Sequence, residues 1–196
     1  MAAAAEHLVT SARAVSDRFE DLFSFWTQFD APDGWRVEIA DGALTMTPNP
    51  ANAHSVIASL LTRVFIERLA ADVGVFQSVA ISMPDQQRVY VPDLVVTAIA
   101  SLREPSVVSP PDALIAAEIT SPGNARIDRE EKRVAYGLGG VPRYLLIDRV
   151  LTNPTVTLFS DPVDGEYQHV VMVPFGESIR IPAPFDFDLD TSQFPR

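Results

Sequence analysis

The apolar positions along the chain change period several times, and each change marks an element. Phe19, Leu22, Phe23 and Trp26 fall at i, i+3, i+4 and i+7, the spacing of a helix with one buried stripe. Ser16 or Asp17 stands where its N-cap is expected, and "APDG" ends it. Residues 1–15 are alanine-rich with little pattern and read as a loosely docked lead. The period drops to two in "WRVEIADGALTMTP", which predicts two short strands around Asp41-Gly42, a pair suited to a type I′ turn. "NPANAH" breaks that pattern. A helical period then returns from Ala53 to Leu69, with Val56, Ile57, Leu60, Leu61, Val64 and Phe65 on one face and Gly74 closing it off.

Three strand-like runs follow: "VFQSVAIS", "RVYVPDLVVT" and "ALIAAEI". The third is almost continuously apolar, as in a strand covered on both faces. "TSPGNARI" reads as a loop. Asp128 and Glu131 fit the acidic form of a capping box, which predicts a helix from Asp128 until "GLGGVP" stops it. "RYLLIDR" is the next strand. Strand, helix and strand in succession form a βαβ unit, so the strands on either side of this helix should be parallel neighbours. "TVTLFSDPVDGEYQHVVMVPFGESIRI" adds more strands with a turn at Asp164-Gly165. The tail "APFDFDLDTSQF" alternates acidic and aromatic residues, as a segment packed along an edge would. The pattern predicts a single α+β domain over residues 16–196.

Composition narrows the class. The 196 residues are 47% hydrophobic, enough to build a core and to exclude bulk disorder. No apolar run reaches the roughly 18–20 residues of a membrane span, and the start lacks the pattern of a secretory signal. The expectation is a soluble, cytoplasmic protein with no membrane partner. With no cysteine, disulfides, thiolate zinc sites and cysteine nucleophiles are excluded. The 26 acidic against 15 basic residues give a formal net charge of −11. That excludes coating nucleic acid by bulk charge, although a local basic face and a metal ion would still permit a nuclease.

The chemistry is concentrated in "YVPDLVV", where Pro92 and Asp93 interrupt an apolar run. Proline and aspartate are both depleted from strand interiors, and an unpaired buried charge costs several kcal/mol. Glu118 ends the most apolar strand, and Lys132 lies in the following helix. If the strands of Asp93 and Glu118 pair, the two carboxylates converge and repel. A divalent cation removes that repulsion, and oxygen-only ligands suit Mg²⁺ or Mn²⁺. Arg129, Lys132, Arg133 and Tyr136 share a helix face, a local basic-aromatic stripe. Singly, each residue has an ordinary reading: Asp93 in a turn, Glu118 paired with Arg126, Lys132 on a solvated face. The three together, in order and on the right elements, favour a metal site. His7 and His169 lack ligand spacing, and Ser121 lacks a nucleophile elbow. No glycine-rich phosphate loop is present.

Pro92-Asp93, "AAEITSP" with Glu118, "DREEKRVAY" with Lys132 and Tyr136, and "GGVPRYLLID" together resemble the Uma-type restriction-endonuclease family of the PD-(D/E)XK superfamily. The hairpin "VEIADGALTMTP" with Glu38, followed by His54, looks like that family's opening. The resemblance implies a restriction-endonuclease-like mixed β-sheet flanked by helices, preceded by an N-terminal helix and β-hairpin. It implies Asp93 and Glu118 as metal ligands, assisted by the Ile119 carbonyl, and Lys132 as the catalytic lysine. Glu38, His54 and Tyr136 would be auxiliary. The superfamily's usual lysine position is Thr120 here, and the helix lysine replaces it. Arg143 and Leu145 depart from the family pattern at positions off the proposed site. The implied activity is Mg²⁺-dependent (or Mn²⁺-dependent) hydrolysis of nucleic-acid phosphodiester bonds, DNA ahead of RNA, by a homodimer on the analogy of restriction enzymes. The alternative is an inactive domain of the same fold that serves binding or dimerisation.

Overall fold

The computed structural model describes residues 18–48, 52–103 and 106–195, so the lead over residues 1–15 and the cap at Ser16 or Asp17 lie outside the described residues. In chain order the elements begin with α1 (18–28), β1 (Trp35–Ala40), β2 (Ala43–Pro48) and α2 (Asn52–Ile66). Strands β3 (Val73–Phe76), β4 (Ala80–Met83), β5 (Arg88–Tyr90), β6 (Leu94–Ala98), β7 (Val107–Val108) and β8 (Ala113–Ile119) follow. Then come α3 (Arg133–Gly139), β9 (Arg143–Asp148), β10 (Thr155–Val163), β11 (Glu166–Pro174), β12 (Ser178–Ile181) and β13 (Phe187–Asp190). The chain divides into two compact units. One runs up to Asn49 and takes in Ser82–Val91; the other is Pro50–Ile81 with Pro92–Arg196.

In the first unit, α1 turns its predicted stripe inward. Phe19 is buried, and the Phe19–Phe23 and Phe23–Trp26 rings stack at 6.0 and 5.6 Å. The Trp26 indole donates to the Val37 carbonyl at 2.9 Å, tying α1 to β1. Strands β1 and β2 form the expected hairpin, with Ala40 opposite Ala43. Asp41 and Gly42 both take positive φ, 50° and 69°, as a type I′ turn requires. Strand β5 joins β1 through Ile39 and Val89.

The second unit is built on a six-stranded sheet in the order β11-β10-β9-β8-β6-β3. Strands β8 and β9 are parallel, as the βαβ reading requires, and the remaining neighbours are antiparallel. One face carries Leu94, Val96, Ile115, Ala117, Ile119, Leu145, Ile147, Val156 and Leu158 against Ile57, Leu61 and Phe65 of α2. The other face carries Glu118 and Tyr144 toward α3, where the Tyr136 and Tyr144 rings lie 5.2 Å apart. Because both faces are covered, β8 is uniformly apolar until Glu118. The acidic-aromatic tail forms β13, which pairs with β12 and buries Phe187 and Leu189.

Several local expectations change. Val56 is largely exposed, so the buried stripe of α2 is Ile57, Leu61 and Phe65. Gly74 lies inside β3 rather than ending α2, which stops at Ile66. "VFQSVAIS" divides between β3 and β4, which pair with different strands: β3 with β6, β4 with β7. "RVYVPDLVVT" also divides, and the break falls at Val91–Asp93 between β5 and β6. Pro92 brings no N–H and restricts Val91, so the ladder ends there and Asp93 precedes a strand instead of sitting within one. The helix over "NARIDREEK" begins before Asp128, whose N–H already bonds to the Asn124 carbonyl at 3.1 Å. Asp128 therefore lies inside a helix, not at its cap. The Ile127–Lys132 stretch is π-helical and runs directly into α3, a widening often found at functional sites.

Gly137 packs so closely on the β10–β11 turn that an added Cβ would stand 2.5 Å from the Gly165 carbonyl oxygen. A rigid backbone clash of this kind costs about 1–3 kcal/mol. Gly137→Ala should lower the urea midpoint accordingly, with the slope of the transition unchanged.

Candidate functional site

The site grows from the ends of β6 and β8. Leu94 lies opposite Ala117, so Asp93, the residue just before β6, stands beside the end of β8 that carries Glu118. Both are buried, 6% and 1% exposed. A carboxylate pair at the end of an apolar strand survives only with partners, and each has specific ones. Asp93 Oδ2 accepts the Ile119 N–H at 2.8 Å and faces His54 Nε2 at 2.8 Å. Glu118 Oε1 accepts from Lys132 Nζ at 2.8 Å and from the Tyr136 hydroxyl at 2.9 Å.

Lys132 and Tyr136 are four residues apart, hence on one helix face, and that face meets β8. Lys132 is 4% exposed and has Asp128 Oδ1 at 3.6 Å as a second acidic neighbour. It is the single lysine of the chain, whose other basic side chains are arginines and three histidines. A lysine offers a compact, rotatable ammonium where an arginine would impose a broad planar fork. That choice at one buried position marks the residue more strongly than its spacing does.

Beside this cluster, Asp148 at the end of β9 is also buried. Its two oxygens take Arg129 Nε at 2.6 Å and Arg129 Nη2 at 2.8 Å, and Thr120 donates to Oδ1 at 3.1 Å. Thr120 thus serves as a clasp between β8 and β9. The Tyr144 hydroxyl donates to the Asp128 carbonyl at 2.8 Å. Burial pushes the Tyr144 phenol well above the ordinary tyrosine range, and the nearby charges of Glu118, Asp128 and Asp93 push it further.

The sequence-predicted residues fall in both units. Asp93, Glu118, Lys132, His54 and Tyr136 come together in the second unit. Glu38 belongs to the first unit, where it is buried and accepts the Val91 N–H at 2.8 Å. The basic-aromatic stripe does not form an open cationic face. Arg129 pairs with Asp148, Lys132 with Glu118, and Arg133 lies over the Phe159 ring at 5.8 Å. Glu118 does not pair with Arg126, which meets Glu131 at 2.6 Å instead. The sequence pattern does not single out Asp128 and Asp148 as neighbours of this cluster. Asp148 closes an apolar strand just as Glu118 does, and that parallel was the available signal. Arg143 stacks on Phe185 and Leu145 is core, so both departures from the family pattern serve packing.

Among the described residues, no group of three or more His, Asp or Glu stands ready to cage a metal. Two carboxylates at one strand end still match how Mg²⁺ is held, by one or two protein carboxylates with water and substrate phosphate completing the shell.

The fold and this cluster define a restriction-endonuclease-like α+β protein. The family model described as "Putative restriction endonuclease" (Uma2) matches residues 19–192, and the chain belongs to that family. A solved structure from Anabaena variabilis ATCC 29413, described as a "putative nuclease belonging to DUF820", is similar with a TM-score of 0.65. The likeness spans 86% of this chain and 94% of that one at 16% identity, so it speaks to the fold. No curated protein matches the chain. No helix among the described residues is long and apolar enough to cross a membrane.

Lys132→Met would leave Glu118 charged and short of its cation, a loss of about 3–5 kcal/mol. Adding Glu118→Gln should restore part of that stability in a double-mutant cycle measured by urea unfolding. A second expectation concerns alkaline pH. Burial raises both the Tyr144 and the Tyr167 phenol. Their contribution to stability is therefore complete below the unfolded value of about 10 and declines as pH rises above it. The urea midpoint should fall above that pH, and less steeply in Tyr167→Phe.

Proposed function

We propose that the protein is a metal-dependent endonuclease that hydrolyses nucleic-acid phosphodiester bonds, with Mg²⁺ or Mn²⁺ as its cation and DNA ahead of RNA as its substrate. One observation carries the reading: the chain's single lysine is buried on Glu118, at the strand end that also positions Asp93. Family membership supports the nuclease class.

Asp93 and Glu118 would hold the cation, with the Ile119 carbonyl beside them. When bound, the cation supplies positive charge to the phosphoryl oxygens and lowers the cost of deprotonating water. The Ile119 N–H and His54 hold Asp93 in one orientation, so its oxygens need no reorganisation as the substrate arrives. Tyr136 does the same for Glu118. Lys132 donates to Glu118 at rest and can turn one N–H toward the attacking water or a phosphoryl oxygen. It thereby stabilises charge that develops at the pentacoordinate phosphorus. Asp128 keeps the ammonium within reach of the site as it turns.

A second reading is an inactive binding domain of the same fold. It is favoured by the internal pairing of Arg129 and Lys132, which removes two cations from the surface of a chain with net charge −11.

The test is cleavage of single- and double-stranded DNA and RNA with Mg²⁺, Mn²⁺ or EDTA. Wild type should cut only with metal, and Asp93→Asn, Glu118→Gln and Lys132→Ala should each lose roughly 10²–10³-fold or more. Mn²⁺ at 100 times its dissociation constant should stabilise wild type by about 2.7 kcal/mol and leave Asp93→Asn unmoved. Metal-independent stability together with no cleavage of any substrate would favour the binding domain.

A further inference from the structure

Strand β11 is the outer strand of the six-stranded sheet among the described residues. It is nine residues long, and its middle is solvent-facing: Val170 is 56%, Val171 47% and Met172 62% exposed. Edge strands are ordinarily blunted by charge, proline or a bulge. Here no Lys, Arg, Asp or Glu occurs from Tyr167 to Val173, and Pro174 comes only at the end.

The hairpin fixes which backbone groups face outward. The Phe175 N–H bonds to the Pro154 carbonyl at 3.0 Å across the β10–β11 ladder, and the Asp161 N–H turns the other way, to the Pro142 carbonyl at 3.2 Å. Alternation along the ladder then points His169, Val171 and Val173 at β10 and turns Val170 and Met172 outward, with their N–H and C=O groups available to another strand.

We propose that β11 pairs antiparallel with β11 of a second copy of this chain, around a two-fold axis at Val171. In that register Val171 faces its own copy, Val170 faces Met172, and His169 faces Val173. The three most exposed apolar residues of the strand cover one another, and the outward residues Val170 and Met172 of each copy exchange backbone hydrogen bonds with Met172 and Val170 of the other. The occupant is selected by charge. Two copies of a chain with net charge −11 repel over most of their surface, whereas this edge carries no like charge to set against its image. Antiparallel pairing of one strand with itself is also self-complementary, as a closed two-fold dimer requires.

The pairing makes one continuous sheet with both α3 faces on the same side. The two β8 strands stand seven strand steps apart, about 34 Å along the sheet at about 4.8 Å per step. The dimer itself does not depend on the nuclease reading. If that reading holds, its two sites are set about one turn of duplex DNA apart.

Light scattering after gel filtration tests the pairing. Wild type should have twice the 21.4 kDa chain mass. Val171→Lys and Val171→Glu each place like charges on the two-fold and should run as folded monomers with unchanged circular dichroism. An equal mixture of the two variants should recover the double mass. A monomeric wild type would overturn the proposal, as would single variants that remain dimeric. Folded monomeric variants that fail to reassociate on mixing would also overturn it, since the axis would then lie elsewhere.

Discussion

The second unit depends on how Glu118 is satisfied inside a sheet covered on both faces. A carboxylate left alone at that depth would lose its solvation and take up a proton, or destabilise the fold by several kcal/mol. Lys132 and Tyr136 reach its Oε1 from the helix that crosses between β8 and β9. The contact therefore does two jobs. It permits a charge at the end of the most apolar strand, and it fixes the height and rotation of the crossover helix above the sheet. Removing the polar cluster would remove a reason for the helix to sit where it does.

A second set of contacts secures the same corner from the neighbouring strand. Arg129 grips Asp148 with two parallel hydrogen bonds, and Thr120 closes β8 onto the same carboxylate. Both clasps use the stretch that includes the π-helical residues, so three successive polar anchors set one short segment. Side chains held in this way reorganise little when a charged substrate arrives, which is where a nuclease site gains most of its effect.

Much of this was legible in the chain because polar residues in apolar runs are conspicuous. Asp93 and Glu118 stood out for that reason, Lys132 by its place in the helix that follows Glu118, and the βαβ pattern predicted that β8 and β9 would be parallel. The failures have equally local causes. Pro92 interrupts an apolar run that looks like one strand, but it ends a ladder, since a residue with no N–H cannot continue the pairing. Asp128 looked like a cap because its spacing to Glu131 fits one. Its burial beside Lys132 depends on the helix beginning at residue 125, and the preceding "TSPGN" gave no periodic signal for that start. Glu38 alternates like a surface residue, and its burial follows from a backbone partner 53 positions away.

The single lysine has a further chemical meaning. Apart from the α-amino group, every basic nitrogen that this chain can present at its surface is a guanidinium or an imidazole. Its one ε-amine is shielded by two acids and a phenol. Reagents that acylate or reductively alkylate amines would find almost nothing to modify on the folded exterior, so lysine-directed crosslinking or immobilisation would pass the molecule by. What reaction did occur at an ε-amine would register the opening of one particular corner of the fold.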